Sequence, residues 1–266
     1  MKKKIIAASA LLVAALLIFW FFYPLRSYIV MGIYSGQHNA NSVQKQHGFS
    51  VDIPSGTGWY PFVMTYNAEG YSTWSGEDAD MSVLYNFGAF NALTRTSSFY
   101  DVNSDKYSAF YGAYVLHKNN GVFGFSDDGN VAMAEVESTV AYDYTQLVMA
   151  GFGCSDVVFD VSGYEMQPGT NYAGGEGWVL IDADITANGV AHTYQREYQA
   201  YLQYGPPVQA AEKDFAPVSL KGRLYLKYIE DYDCTVMLYV IAKDASAVDT
   251  CDNDILSRTK ISSLKQ

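Results

Sequence analysis

The amino-acid sequence predicts an α+β protein: an N-terminal transmembrane helix, then a mainly antiparallel β domain with one central helix and a short C-terminal helix. Three observations carry that expectation. An almost unbroken apolar run, Ile5 to Leu25, stands behind Lys2, Lys3 and Lys4. After Gly48, short Val/Ile/Tyr/Phe stretches alternate with Gly, Asn and Asp, the texture of strands and turns. One segment, 131–149, breaks that texture with apolar residues at helical spacing.

The apolar run (IIAASALLVAALLIFWFFYPL) has the length a helix needs to cross about 30 Å of hydrocarbon, and Ser9 is its only clearly polar member. The three lysines belong on the cytoplasmic side, which sends the rest of the chain outward. Trp20, Phe21, Phe22 and Tyr23 stand where an interfacial aromatic belt is expected. Ala8-Ser9-Ala10 has the form of a signal-peptidase site but lies too early in the run, and the residues after the run are bulky. The segment therefore reads as a retained anchor. The expected layout is cytoplasmic lysines and anchor over 1–26, a juxtamembrane linker over 27–47, and an extracytoplasmic α+β domain over 48–266. Such a chain is a single-pass protein of the cell membrane with its N-terminus in the cytoplasm.

Strands are expected at Phe49–Ile53, Tyr60–Tyr66, Met81–Tyr85, Ala109–His117 and Val122–Phe125, with Lys118-Asn119-Asn120-Gly121 turning the last two into a hairpin. Within 131–149, Val140, Tyr144, Leu147 and Val148 make one apolar helical face. Asp127-Asp128 precede it as capping residues, and Gly151 and Gly153 stop it. Strands resume at Val157–Tyr164 and Gly177–Ile185. Asn188-Gly189 then predicts a hairpin tip with positive φ. That makes Val190–Tyr204 the returning strand, although Tyr194, Tyr198, Tyr201 and Leu202 also fit a helical stripe. Leu220–Ile229 and Thr235–Ala242 are the last strands, and Asp252–Leu264 the C-terminal helix. Gly48-Phe49-Ser50-Val51-Asp52-Ile53-Pro54 and the strand–helix–strand order resemble PsbP-like domains over that one short motif.

Charge narrows the function classes. Of 17 Lys and Arg, four (Lys2, Lys3, Lys4, Arg26) lie in residues 1–26, leaving 13 against 28 Asp and Glu, a formal charge of −15. Such a surface repels phosphate backbones, so nucleic acid is excluded as an expected partner. No N-x-S/T sequon occurs, which points to a bacterial cell surface rather than a glycosylating pathway. His38, His47, His117 and His192 lack zinc-site spacing. Asp101–Asp105 starts like a calcium loop, but Lys106 replaces the required glycine and Gly112 stands where the bidentate glutamate belongs. No nucleophile elbow or phosphate loop is present, so neither a metal nor a cofactor is expected.

Aromatic residues supply the candidate ligand site. Trp59-Tyr60-Pro61, Tyr66, Tyr71 and Trp74 lie beside Glu77, Asp78 and Asp80. Rings stack on sugar faces and carboxylates accept sugar hydroxyls, so Trp59, Tyr60 and Trp74 are the residues expected to bind a cell-wall glycan or an envelope protein. The competing reading sends these rings into the core of a chain that holds 23 tyrosines.

Cysteine supplies the second candidate. Cys154, Cys234 and Cys251 fall on the outer side, where disulfides persist. Cys234 and Cys251 are the expected pair, closing a short loop at a gain of ~3 kcal/mol. Asp249-Thr250-Cys251, then Arg258, with His192 upstream, are similar in order to sortase transpeptidases. That resemblance implies Cys251 as nucleophile, His192 as proton shuttle and Arg258 as oxyanion stabiliser. The acidic neighbours Asp249, Asp252 and Asp254 disfavour a thiolate, and no apolar strand follows Arg258. The favoured reading is therefore a membrane-anchored, non-catalytic binding module for wall polymer or a partner protein. The alternative is an anchored sortase-like cysteine transpeptidase or peptidase.

Overall fold

The computed structural model describes residues 2–21, 23–54, 63–86, 90–91, 96–97, 103, 109–150, 154, 156–189 and 215–264. The helices are α1 (Lys2–Phe21), α2 (Tyr23–Ala40), α3 (Val43–Gln46), α4 (Tyr71–Ser75), α5 (Met133–Tyr142, continued by a π-helical stretch Asp143–Met149) and α6 (Ala245–Asp254). The strands are β1 (Phe49–Asp52), β2 (Met64–Asn67), β3 (Ala79–Asn86), β4 (Phe90–Asn91), β5 (Thr96–Ser97), β6 (Phe110–Lys118), β7 (Phe159–Tyr172), β8 (Gly175–Asn188), β9 (Pro217–Ile229), β10 (Cys234–Ala242) and β11 (Lys260–Ser263). Seven of them form one sheet in the order β2-β3-β6-β10-β9-β8-β7. Every neighbouring pair in it is antiparallel, so the chain is α+β with mainly antiparallel pairing.

The strand β10 explains the layering. All nine residues of CTVMLYVIA are buried, and successive side chains go to opposite faces of the sheet. Met237, Tyr239 and Ile241 join a core with Val136, Tyr144, Val148 and Met149 from α5 and its π-helical continuation. Val236, Leu238 and Val240 join a second core with Val43, Phe49, Val51, Val248 and Leu256, supplied by α3, β1, α6 and the turn after it. Covered on both faces, β10 reads as a continuous apolar run rather than as strict alternation. Each large side chain buried there contributes ~1.5–3 kcal/mol, more than a typical surface ion pair.

Several expectations need correction. Lys118–Gly121 is not a hairpin and Val122–Phe125 is not a strand; Phe125 makes only an isolated bridge to Val131. Lys118 Nζ is held by Glu77 at 2.8 Å and Glu135 at 2.6 Å, and Glu135 also accepts the Gly124 N–H at 2.6 Å. With Gly121 and Gly124 both at positive φ, the chain turns twice and passes into α5 instead of returning beside β6. Asn188-Gly189 is not a hairpin tip either. The tip lies earlier, between β7 and β8, where Ala173 (φ 49°) and Gly174 (φ 73°) provide the two left-handed residues. Asn188 instead spends its side chain on backbone groups: Oδ1 accepts the Val158 N–H at 2.6 Å and Nδ2 donates to the Phe215 carbonyl at 2.8 Å. Val190–Tyr204 lies outside the described residues.

The C-terminal helix also sits earlier than Asp252–Leu264. Asp244 caps it, its Oδ1 accepting the Ala247 N–H at 2.9 Å, and the chain after Arg258 becomes β11 paired with β1. The stretch expected as a linker is largely helical, since α2 continues to Ala40 and docks on β2. Among the described residues no helix is long and apolar enough to cross a membrane.

Candidate functional site

The densest polar constellation grows from the pairing of β8 with β9. Asp182 stands directly across from Arg223, and Asp184 across from Lys221. Residues two apart on a strand share a face, so these pairs form a short charge ladder. Lys221 Nζ bonds Asp184, and Arg223 Nε donates to Asp182 Oδ1 at 2.7 Å. Arg223 also reaches the overlying α6, where Nη1 donates to Asp249 at 2.9 Å and to Asp252 at 3.1 Å. Burial opposes the guanidinium charge, but its bonds to Asp182 and Asp252 outweigh that and hold it more firmly protonated than usual.

Asp252 is the focus of this set. It is 3% exposed, yet its oxygens accept from Arg223, from Tyr225 Oη at 2.8 Å and from Tyr172 Oη. The two phenol rings stack with centroids 3.4 Å apart. Burial, and then the neighbouring Asp252 carboxylate, push both phenols well above their ordinary range, so they remain donors. β7, β8, β9 and α6 each contribute one or more members, and the set fastens α6 to the sheet.

Beside it opens a cleft of about 460 Å³, lined by Glu165, Asp182, Asp184, Lys221, Arg223 and Ala245 among others. Its carboxylates outnumber its cations, and both cations are already ion-paired. Such a lining suits hydroxyl-rich or cationic groups and disfavours phosphate. Among the described residues no group of three or more His, Cys, Asp or Glu is placed to hold a metal.

Those residues singled out from sequence that the structure describes do not converge on this cleft. Trp59 and Tyr60 lie outside the described residues, as does His192. Trp74 is 43% exposed on α4 and meets Tyr142 edge-on at 5.4 Å. Tyr71 is fully buried and hydrogen-bonds Thr139 at 3.1 Å, and Tyr66 stacks on His38. Glu77 is engaged by Lys118 and Asp78 by Asn119, so these carboxylates serve local structure. Arg258 is exposed on the 3₁₀ turn after α6.

The three cysteines form no disulfide, and the expected Cys234–Cys251 bridge is therefore corrected. The reason is geometric. β10 carries the chain ~26 Å from Cys234, while α6 returns at only ~1.5 Å per residue. The ladder locates the gap. Cys234 lies opposite Ile229, whereas the helix turn bearing Asp249 and Asp252 reaches Arg223, which lies opposite Val240. A disulfide needs Cα atoms within ~7 Å. Cys234 is packed in the core, where burial and nearby Asp233 push its thiol up to about 12. Burial likewise raises Cys154.

Sequence reasoning missed the Arg223 network, although a signal was present. Asp182-Ala183-Asp184 and Lys221-Gly222-Arg223 each carry charges at strand spacing inside otherwise apolar strands. Compared with models of protein families and with curated proteins, the chain finds no match.

Proposed function

We propose that this protein is a single-pass membrane protein whose extracytoplasmic α+β domain is a non-catalytic interaction module. The observation that carries the reading is α1. Every residue from Lys4 to Ile18 is exposed, including Ile5, Ile6, Leu11, Leu12, Leu16 and Leu17. An apolar helix exposed over that described length is stable only in an apolar medium, and a bilayer supplies one. The lysines of its first turn orient the domain outward.

Two further points support a binding role over a thiol enzyme. Arg258, the arginine that the thiol-enzyme reading assigns to the oxyanion, is exposed on the turn after α6, and Arg223, which does meet α6, is engaged by three carboxylates. The charged cleft beside it offers acceptors and paired cations, an arrangement suited to hydroxyl-rich polymer or basic protein segments. Expression in intact bacterial cells tests the reading. The full chain is expected in the membrane fraction after alkaline carbonate washing, with its domain cleaved by protease added outside. A protein wholly released by carbonate, or protected in intact cells, contradicts it. Rapid single alkylation of Cys251, with transpeptidation lost in Cys251→Ser, replaces the module with an enzyme.

A further inference from the structure

The seven-stranded sheet has two edges, and one of them is covered in an unusual way. Residues of an edge strand direct alternate backbone N–H groups away from the sheet, where they are open to other strands. In β2 those of Thr65 and Asn67 are taken by side chains of α2. Thr65 N–H donates to Ser35 Oγ at 2.9 Å, and Asn67 N–H donates to His38 Nδ1 at 3.0 Å. The Asn67 side chain completes the dock: Nδ2 donates to the His38 carbonyl at 3.0 Å, and Oδ1 accepts from Ser82 Oγ at 2.8 Å. The His38 ring lies between Tyr34, at 4.0 Å between centroids, and Tyr66, at 5.2 Å.

The Asn67 amide can only donate, so His38 Nδ1 must be unprotonated for this bond to exist. A second proton on the ring sets an N–H against an N–H and removes the acceptor at the centre of the dock. We propose that His38 is a proton-operated latch, holding α2 on the edge of β2 while neutral and releasing it when the ring becomes an imidazolium.

The surroundings set the direction. Burial lowers the affinity of His38 for a proton below its ordinary 6.5, and Glu69 opposes that partly. Tyr34 and Tyr66 flank the ring, and the Tyr66 phenol is raised by burial and by Glu69. A histidine bound in its neutral form stabilises the dock above its free value and loses that contribution as pH falls through the docked value. Mild acidification therefore frees α2. The latch concerns the docking of residues 23–40 on the sheet and stands whether or not α1 enters a bilayer.

Amide hydrogen exchange on the full chain in detergent micelles tests it, read at Thr65 and Asn67 at about pH 7.5 and about pH 5, with Val236 and Leu238 of β10 as controls. After correction for intrinsic exchange, protection at Thr65 and Asn67 is expected to fall roughly tenfold or more in acid, while the controls hold. His38→Asn places Oδ1 where Nδ1 was and does not titrate, so it is expected to keep protection at both pH values. His38→Phe keeps a ring but no acceptor and is expected to lose it at both. Unchanged wild-type protection in acid overturns the latch even if the variants fail to fold. So does an equal loss in β10, or a His38→Asn protein that opens as the wild type does.

Discussion

Among the described residues two aspartates are buried, on opposite faces of one sheet, and tyrosine hydroxyls meet both. Asp143, 1% exposed, opens the π-helical stretch on one face; Asp252, 3% exposed, lies on α6 over the other. Tyr114 donates to Asp143 at 2.8 Å, but no cation among the described residues pairs with it. Burial drives its carboxyl up to about 7, against the pull of Tyr114 and Tyr239. Asp252 has the same phenolic company and, in addition, the Arg223 guanidinium. An uncompensated ion cannot be left in a core, so one site takes a proton and the other takes a cation. The difference teaches that burial does not decide charge; the neighbours do.

The largest expected effect comes from removing the cation. Arg223→Ala strands Asp252 and is expected to lower unfolding free energy in urea by about 3 kcal/mol or more. Adding Asp252→Asn is expected to restore part of that loss, since the stranded charge is gone. A single-variant loss well under ~1 kcal/mol would make the network a surface ornament.

Asp143→Asn is next and acts in the opposite direction. A carboxyl whose folded value is raised contributes stability fully below its unfolded value, near 3.8, and loses it as pH rises through about 7. The variant is therefore expected to match the wild type near pH 4 and to exceed it by on the order of 2 kcal/mol near pH 8. Equal pH profiles for the two proteins would show that Asp143 is charged when folded. The smallest effects compare the phenols. Tyr172→Phe removes a bond to a charged acceptor and is expected to cost about 2 kcal/mol, against about 1 kcal/mol for Tyr114→Phe beside a protonated acid. Thermal or urea denaturation near pH 6 ranks them, and the reverse order contradicts the assignment of the two sites.

Local features of the fold were legible. Thr235–Ala242 was readable as a strand because β-branched and aromatic residues follow one another without turn residues, and the segment 131–149 because its apolar residues recur at helical spacing. The π-helical stretch was not, because no local pattern distinguishes it from ordinary helix. Asn188-Gly189 misled for a physical reason. The dipeptide allows positive φ, yet the same amide can satisfy buried backbone ends, and packing chose the second use. The candidate site was hardest to read. Tyr172 and Asp252 are bonded between a strand and the helix packed over it, far apart in the chain, and charges at strand spacing do not announce their register.

Residue order alone determined the apolar N-terminal stretch, the acidic surface after it, and most strands of an antiparallel domain, because each depends on side chains a few positions apart. Tertiary structure decided that β1 pairs with β11, that α2 covers the β2 edge, that Cys234 and Cys251 stay apart, and that Asp143 and Asp252 meet different fates. Register, burial and proton affinity are set by groups distant in the chain, and they acquire values only when those groups are brought together.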